Sequence, residues 1–346
     1  MARNTHNFAD GGGAPAHGGN LAEAAALVAD PSAPWVDLST GINPFAYPVP
    51  EISERSWTAL PQGDALGRLL AAARAAYGVA PAAGVVAAPG TQALIQILPS
   101  IVEPGRRVAI VIPTYAEHAA AWTDWGHEVV PVADPADADA SEADVLVVVN
   151  PNNPDGRTWA GPDLVSATEA MRQRGGLLVI DEAFMDLTPD RSAAALADTP
   201  GVAILRSFGK FYGLAGVRLG FLLGNAALAA AVARRMGPWA VSGPALAVGE
   251  TALDDRQWAV AARETVAGAR RRLDRILEGA GIAVVGGTDL YRLVDVPSAA
   301  DLHIRLARHG LWTRRFDDQP NWLRFGLCPD GEAEERLRRA LGDGAM

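Results

Sequence analysis

Short apolar segments alternate with longer amphipathic segments between about residues 85 and 223. The apolar segments lack the strict alternation of a half-exposed strand, so they predict strands that are buried on both faces. The predicted strands are Val85–Ala88, Val108–Ile112, Glu128–Val132, Val145–Asn150, Leu177–Asp181, Val202–Ser207 and Gly220–Leu223. Predicted helices between them are Thr91–Ile101, Glu117–Trp125 and Pro162–Arg174. This alternation predicts an α/β fold with a mostly parallel, seven-stranded sheet.

The pattern changes after Gly237-Pro238. Two long helices are predicted at Pro244–Leu253 and Trp258–Gly279, and a smaller α/β unit follows them. The strands of that unit are predicted at Ile282–Val285, Leu290–Val296, Leu311–Arg315 and Trp322–Leu327, and its helices at Ala299–His309 and Glu332–Leu341. We therefore expect an N-terminal arm (1–45, rich in Gly, Pro and Asn), a large domain (46–240), linking helices (241–280) and a small C-terminal domain (281–346).

Residues with polar or special backbone chemistry follow several of the predicted strands. They are Gly90, Tyr115, Asn153, Asp181, Ser207 and Lys210. In an open parallel sheet, ligands bind at the carboxyl ends of the strands. The sequence therefore predicts a ligand site at that edge of the large domain.

The segment from Ser207 to Gly220 combines a hydroxyl, an amine and a guanidinium in a glycine-rich loop between two apolar runs. A buried ammonium is costly, so Lys210 there favours an amine that condenses with a carbonyl to form a Schiff base. Ser207 and Arg218 suit a phosphate on the same ligand. A carbonyl and a phosphate together indicate pyridoxal 5′-phosphate (PLP). The alternative is an ordinary solvated lysine in a surface loop.

Other residues have both a functional and a structural interpretation. Asp181, at the end of an apolar strand, suits a protonated pyridine nitrogen or the cap of a following helix. Thr91 after Gly90 suits an anion at a helix start or a plain N-cap, and Tyr115 suits stacking on a pyridine ring or the core. Arg324, in a late apolar strand, suits a substrate carboxylate or an internal salt bridge.

Composition excludes some classes of partner. The 346 residues carry a formal net charge of -10, which argues against nucleic acid as a partner. No apolar run has the length of a membrane span, and the polar first residues lack the apolar segment of a signal peptide. Cys328 is the single cysteine, which excludes an internal disulfide and a thiolate metal cluster. We expect a cytoplasmic protein without a metal.

These motifs, in this order, resemble the fold-type I PLP enzymes of the aspartate-aminotransferase superfamily over nearly the whole chain. The resemblance implies that Lys210 forms the Schiff base, Asp181 pairs with the pyridine nitrogen and Asn153 contacts the ring hydroxyl. It further implies the remaining cofactor contacts and the carboxylate ligand: Tyr115 stacking on the ring, Gly90, Thr91, Ser207 and Arg218 at the phosphate, and Arg324 at the substrate carboxylate. It also implies a homodimer.

Two groups within the superfamily are the most similar, the threonine-phosphate decarboxylases of cobalamin biosynthesis and the histidinol-phosphate aminotransferases. The segments His17–Asn20, Leu38–Pro44, Pro113–Glu117 and Asp181–Phe184 resemble the decarboxylases more. The resemblance implies L-threonine O-3-phosphate as substrate, with His17 at its phosphate and Asn43 near its carboxylate. An aminotransferase is the alternative, and a non-catalytic PLP-binding regulator is a further one.

The chain departs from the superfamily pattern at two places. Phe184 stands where a tyrosine usually hydrogen-bonds the ring oxygen, which leaves Asn153 as the expected donor. Leu60-Pro61 stands where many relatives carry Tyr-Pro, in the segment that reaches the neighbouring subunit's cofactor phosphate.

Overall fold

A computed structural model describes residues 17–138 and 142–342 of the chain. The strands are β1 Val36–Asp37, β2 Gly84–Ala88, β3 Arg107–Val111, β4 Glu128–Val132, β5 Val145–Val149, β6 Leu177–Asp181, β7 Val202–Ser207, β8 Gly220–Gly224, β9 Val284–Thr288, β10 Tyr291–Asp295, β11 Leu311–Trp312, β12 Arg314–Phe316 and β13 Gln319–Gly326.

The α-helices are α1 Leu21–Leu27, α2 Glu54–Thr58, α3 Gly63–Ala76, α4 Thr91–Ile97, α5 Ala116–Asp124, α6 Gly161–Gln173, α7 Phe208–Phe211, α8 Ala226–Met236, α9 Gly243–Asp254, α10 Arg256–Gly279, α11 Ala299–Arg308 and α12 Gly331–Gly342. Short 3₁₀ turns lie at Leu98–Ile101, Pro135–Ala138, Met185–Leu187, Pro189–Arg191, Ala193–Leu196 and Ala215–Val217. Among the described residues no helix has both the length and the apolarity to span a membrane.

A seven-stranded sheet forms the larger lobe, in the order β2-β8-β7-β6-β5-β3-β4. β8 is antiparallel to both of its neighbours and the other adjacent pairs are parallel. Every residue of β5 and β6 is buried, because apolar clusters cover both faces of the sheet. The expected α/β class and seven-stranded sheet are confirmed.

The direction of chain progression reverses between β3 and β5, which are neighbours in the sheet. Ligands in open α/β sheets bind in the crevice outside such a reversal point. Tyr115 follows β3 and Asn153 follows β5, so these two residues lie on either side of the crevice.

The smaller lobe is a four-stranded antiparallel sheet in the order β12-β13-β10-β9. The N-terminal segment joins this lobe, since β1 pairs in parallel with β11 and the amide of Gly326 donates to the carbonyl of Leu38 at 2.7 Å. α10 begins at the N-cap Asp255 and contacts β9, β10 and α12 of the small lobe. The proposed domain boundaries at 45, 240 and 280 stay a prediction.

Candidate active site

Most of the predicted site residues surround one cavity at the carboxyl edge of the large sheet. The predicted residues that line it are His17, Gly90, Thr91, Tyr115, Asn153, Asp181, Ser207, Lys210, Arg218 and Arg324. They come from the N-terminal segment, from the carboxyl ends of β2, β3, β5, β6 and β7 with the segments that follow these strands, and from β13, so the cavity lies where the two lobes meet.

Lys210 lies in α7, the one-turn helix that directly follows β7. Burial lowers the pKa of its amine to about 8, and the positive charge of Arg324 acts in the same direction. With this pKa about one-tenth of the amine is neutral at pH 7, and the neutral amine is the form that attacks a carbonyl. Lys210 lines the cavity from a helix and does not lie in a surface loop, so the surface-loop alternative is wrong, and the chemistry of its amine fits the aldehyde of PLP.

Asp181 ends β6 with a buried carboxylate. One oxygen accepts from the amide of Ala183 at 3.0 Å, but the 3₁₀ turn that follows has Phe184 at its N-cap, so the helix-cap alternative for Asp181 is wrong. The other oxygen lies 3.0 Å from Nε2 of His118, which is also buried. Since an ionised carboxylate only accepts, the imidazole donates this bond and fixes the direction of the carboxylate. The sequence did not single out His118.

The loops after β2 and before β8 form a cradle for an anion. Gly90 has φ of +86°, and a Cβ there would come within 2.6 Å of Nη2 of Arg218. Glycine is thus needed both for the backbone conformation and for the approach of the guanidinium. Thr91 is the first residue of α4 and Gly90 occupies the N-cap, so the Thr N-cap alternative is wrong. Ser207 lines the same cavity, and these groups fit a phosphate.

The side chain of Tyr115 is held over the cavity by a polar network. Its hydroxyl donates to Oε1 of Gln92 at 3.3 Å, and burial, with the negative charge of Glu117 adding to it, raises its pKa to about 12. Gln92 also donates to the carboxylate of Glu117, whose other oxygen lies 2.8 Å from Nε2 of His17. Glu117 and Gln92 were not predicted. Polar side chains in the first turns of α4 and α5 were the available signal.

Arg324 lies on β13 and is buried at the border of the cavity. Its Nη1 donates to Oδ1 of Asn153 at 2.5 Å and its Nη2 donates to the carbonyl of Ser39 at 2.7 Å. Among the described residues no carboxylate forms an ion pair with it, so the internal salt-bridge alternative is wrong for this part of the chain. Burial lowers the pKa of the guanidinium to about 10. A buried cation held by neutral acceptors can still take a planar anion.

Asn43 and Phe184 are two further residues that the sequence singled out. Both polar ends of the Asn43 side chain are bonded to backbone: Nδ2 donates to the carbonyl of Phe211 at 2.8 Å, and Oδ1 accepts from the amide of Phe45 at 2.9 Å. Asn43 is not among the residues that line the cavity, and its carboxylate role stays a prediction. The ring of Phe184 does line the cavity and packs edge-on against Tyr291, with ring centroids 5.2 Å apart.

A second compartment adjoins the first and shares His17, Tyr115, Asn153 and Arg324 with it. The two are similar in size, about 220 and 260 Å³, so there is room for a ligand in two parts. Arg314 of β12 lines the second compartment and lies directly opposite Arg324 in the β12–β13 ladder. The sequence did not identify Arg314, because an exposed-looking Arg-Arg pair carries no local signal of a cavity.

Comparison with known proteins matches residues 34–341 to the model of the aminotransferase class I and II family. The chain belongs to this family. Within it, the chain is 47% identical to the threonine-phosphate decarboxylase of Pseudomonas aeruginosa, over 94% of this chain and 96% of that protein. It is 44% identical to the threonine-phosphate decarboxylase of Sinorhizobium sp over 94% of this chain and 97% of that protein.

Histidinol-phosphate aminotransferases are more distant. The one from Symbiobacterium thermophilum is 32% identical over 74% of this chain and 75% of that protein. Among solved structures, histidinol-phosphate aminotransferase from Sinorhizobium meliloti in complex with pyridoxal-5′-phosphate has a TM-score of 0.76 at 22% identity, over 88% of this chain and 89% of that one. These findings confirm the expected superfamily and fold type, and PLP as the cofactor of the family.

Proposed function

We propose that this chain catalyses the PLP-dependent decarboxylation of L-threonine O-3-phosphate to (R)-1-aminopropan-2-yl phosphate, in cobalamin biosynthesis. The observation that carries the proposal is that the buried amine of Lys210 and the buried guanidinium of Arg324, which lacks a carboxylate partner in the described residues, share one cavity. The two threonine-phosphate decarboxylases, at 47% and 44% identity, support the choice of reaction and substrate.

The residues around the cavity suit PLP in a defined orientation. In this proposal Lys210 would bind its aldehyde carbon, Asp181 would face its pyridine nitrogen and Asn153 its ring oxygen. Tyr115 would lie against the ring, and the cradle of Gly90, Thr91, Ser207 and Arg218 would hold its phosphate. When bound, PLP supplies an electron sink for the pair of electrons released at the substrate Cα.

The substrate has an amine and two acidic groups, and beyond Lys210 and Arg218 the site offers two further cations, Arg324 and Arg314. Arg324 binds the α-carboxylate through its fork, and the phosphate lies in the second compartment beside Arg314 and His17. Two anionic groups on a ligand of this size need two cationic sites close together. The pairing of the arginines across one ladder provides them.

Arg324 would orient the substrate by holding its α-carboxylate, and this orientation would decide whether the carboxylate or the Cα proton is lost, with bound PLP as the electron sink. If the carboxylate is lost, it would leave as CO2 with the bonding electrons staying at Cα, and the Nζ group of Lys210 would give a proton to Cα. If the Cα proton is lost instead, the Nζ group of Lys210 would accept it, and transamination would follow.

The product formed from L-threonine phosphate tests the proposal. We expect release of CO2 without any requirement for 2-oxoglutarate, and no release by the Lys210→Ala variant. Turnover that depends on 2-oxoglutarate and histidinol phosphate would instead establish the aminotransferase. PLP binding without turnover of any amino acid phosphate would establish the non-catalytic regulator.

We also propose a homodimer in the cytoplasm. An apolar groove on the large lobe is lined by Pro61 and Trp239, and the side chains of Trp239 and of Leu60, which precedes Pro61, are 60% and 59% exposed. An apolar surface of this kind commonly marks a protein interface. Sedimentation should give twice the mass of the chain, and Trp239→Glu should shift it to the monomer.

A further inference from the structure

Tyr291 is a fully buried residue of the small lobe that contacts three parts of the candidate active site. It begins β10, and its hydroxyl crosses to the large lobe, where it donates to the carbonyl of Asn152 at 2.6 Å. Its ring lies under the guanidinium of Arg324, 5.1 Å from ring centroid to Cζ. The edge contact with Phe184 is the third.

The bond to Asn152 holds the segment that carries Asn153. The carbonyl of Asn152 also accepts from the amide of Gly156 at 2.9 Å, and the carbonyl of Asp155 accepts from the amide of Gly287 at 2.8 Å. The loop after β5 is therefore bonded to the small lobe at three places, through the hydroxyl of Tyr291, the amide of Gly287 and the guanidinium of Arg324. The hydroxyl bond is the one immediately before Asn153.

The ring of Tyr291 also supports Asn153, through its contact with Arg324. Oδ1 of Asn153 accepts from Arg324, so the NH2 group is the end of the amide that remains for a ligand in the cavity. A cation over an aromatic face is attracted by the ring quadrupole, and the attraction is stronger away from water. Tyr291 thus contacts both the guanidinium that orients the Asn153 side chain and the backbone carbonyl immediately before Asn153.

Phe184 makes this support more consequential. A phenylalanine cannot hydrogen-bond the ring oxygen of PLP, so Asn153 is the donor that the described cavity offers at that position. A shift of the Asn153 loop would not be compensated by a second donor. We propose that Tyr291 is a positioning residue, whose hydroxyl and ring together hold Asn153 toward the cofactor and Arg324 toward the substrate carboxylate. This inference rests on the proposed PLP-dependent function.

The chain offers a matched control in Tyr77. This tyrosine is also buried and also lies under an arginine, with Cζ of Arg206 4.4 Å from its ring centroid. Its hydroxyl has no hydrogen-bond partner among the described residues. Tyr77→Phe and Tyr291→Phe therefore remove the same atom from similar surroundings, but only the second removes a bond to the loop.

Hydrogen exchange on the cofactor-free protein measures the loop directly. In Tyr291→Phe we expect amides of residues 150–157 to exchange about fivefold faster, the size expected for the loss of one hydrogen bond, and no change there in Tyr77→Phe. This readout does not depend on PLP or on turnover, so it separates the inference from the proposed function. Equal exchange in Tyr291→Phe and in the unchanged protein would overturn the inference.

Cofactor binding and kinetics give the second readout. In Tyr291→Phe, PLP should bind about fivefold more weakly, and the pH midpoint of the visible absorbance of bound PLP should move, since that absorbance reports hydrogen bonding at the ring oxygen. Tyr291→Leu, which also removes the ring under Arg324, should raise KM for L-threonine phosphate more than it lowers kcat. A loss of thermal stability with both midpoint and KM unchanged would show a merely structural role.

Discussion

Two buried arginines of this chain have opposite surroundings. Arg206 of β7 is 1% exposed and is paired with the carboxylates of Glu182 and Asp186. Arg324 of β13 is 7% exposed and donates to the neutral oxygens of Asn153 and Ser39. Burial alone would lower the pKa of both, but at Arg206 the two carboxylates overcome it and raise the pKa, whereas at Arg324 the pKa stays lowered, to about 10.

The difference separates a structural cation from a receptor for an anion. A buried charge is tolerated when it is paired, and Arg206 brings both of its partners with it. Arg324 meets no carboxylate in the described part of the chain, and its side chain faces a cavity that a ligand can enter. The position of the missing partner is therefore the position that a substrate carboxylate would take.

Arg324→Met should have the largest effect on function. Removing the fork that holds the carboxylate should lower kcat/KM for L-threonine phosphate by roughly a thousandfold, because a charged group of the substrate loses its buried partner. Steady-state kinetics measures this. The thermal unfolding midpoint should change little, since no carboxylate of the described chain loses a partner. A large loss of stability with kcat/KM preserved would reverse the assignment.

Arg206→Met should have the complementary effect. It leaves Glu182 and Asp186 buried without their cation, which costs about 3–5 kcal/mol of unfolding free energy. Chemical denaturation of the cofactor-free protein measures this loss, and KM of the folded fraction should change far less than in Arg324→Met. Stability equal to that of the unchanged protein would show that Arg206 and its carboxylates do not act as a unit.

Neutralising Glu182 and Asp186 as well should restore part of the stability that Arg206→Met loses. In Arg206→Met combined with Glu182→Gln and Asp186→Asn, no buried carboxylate remains without a partner, so the triple variant should recover about 1–3 kcal/mol relative to Arg206→Met alone. The same denaturation experiment checks it. A triple variant less stable than Arg206→Met would mean that the carboxylates have further essential contacts beyond the bonds from Ser192 and Ala193.

The pH dependence of the reaction with PLP should show the smallest of the expected differences between Arg324 and Arg206. With the pKa of Lys210 at about 8, the rate at which the cofactor-free protein reacts with PLP should rise up to about pH 8 and then level off, because the neutral amine is the nucleophile. Free lysine, with a pKa of about 10.4, should keep rising. Rapid mixing over a pH series measures both.

Arg324→Met should move the Lys210 profile to higher pH, since removing a nearby positive charge makes protonation easier. Asp181 acts on Lys210 in the opposite direction to Arg324, and Arg218 in the same one, and both remain in the variant. Arg206→Met should leave the profile in place. An equal shift of the Lys210 profile in Arg324→Met and Arg206→Met would show that the pKa of Lys210 does not depend on how close the removed arginine lies to the cavity.

The sheet and most of its ligand residues could be predicted because their signals are local. β6 ends at Asp181 and β7 at Ser207, as the apolar runs indicated, and the special residues follow each run. Helices α3 and α8 were missed, although the sequence of each has an amphipathic pattern. The structure is needed for contacts between distant segments, such as His118 with Asp181.

Arg206 and Arg324 show the same limit. Each is a charged residue in an apolar strand, at Val202–Ser207 and at Trp322–Leu327, so the local sequence is equally consistent with a salt bridge or a receptor. The partners that decide between them come from elsewhere in the chain. Asp186 is 20 residues before Arg206, whereas Ser39 is 285 residues before Arg324.

That last separation has a consequence for how the protein acquires its binding ability. Arg324 is held by residues 171 and 285 positions away, so its final orientation requires the first and last parts of the polypeptide to have met. Contacts between residues so far apart in sequence form slowly, because the large loop between them must close first, and the entropic cost of closing it is offset only once the contact has formed. During refolding from denaturant, affinity for a carboxylate should therefore return after the central sheet has formed, and a newly made chain should recognise its substrate only once synthesis has passed β13.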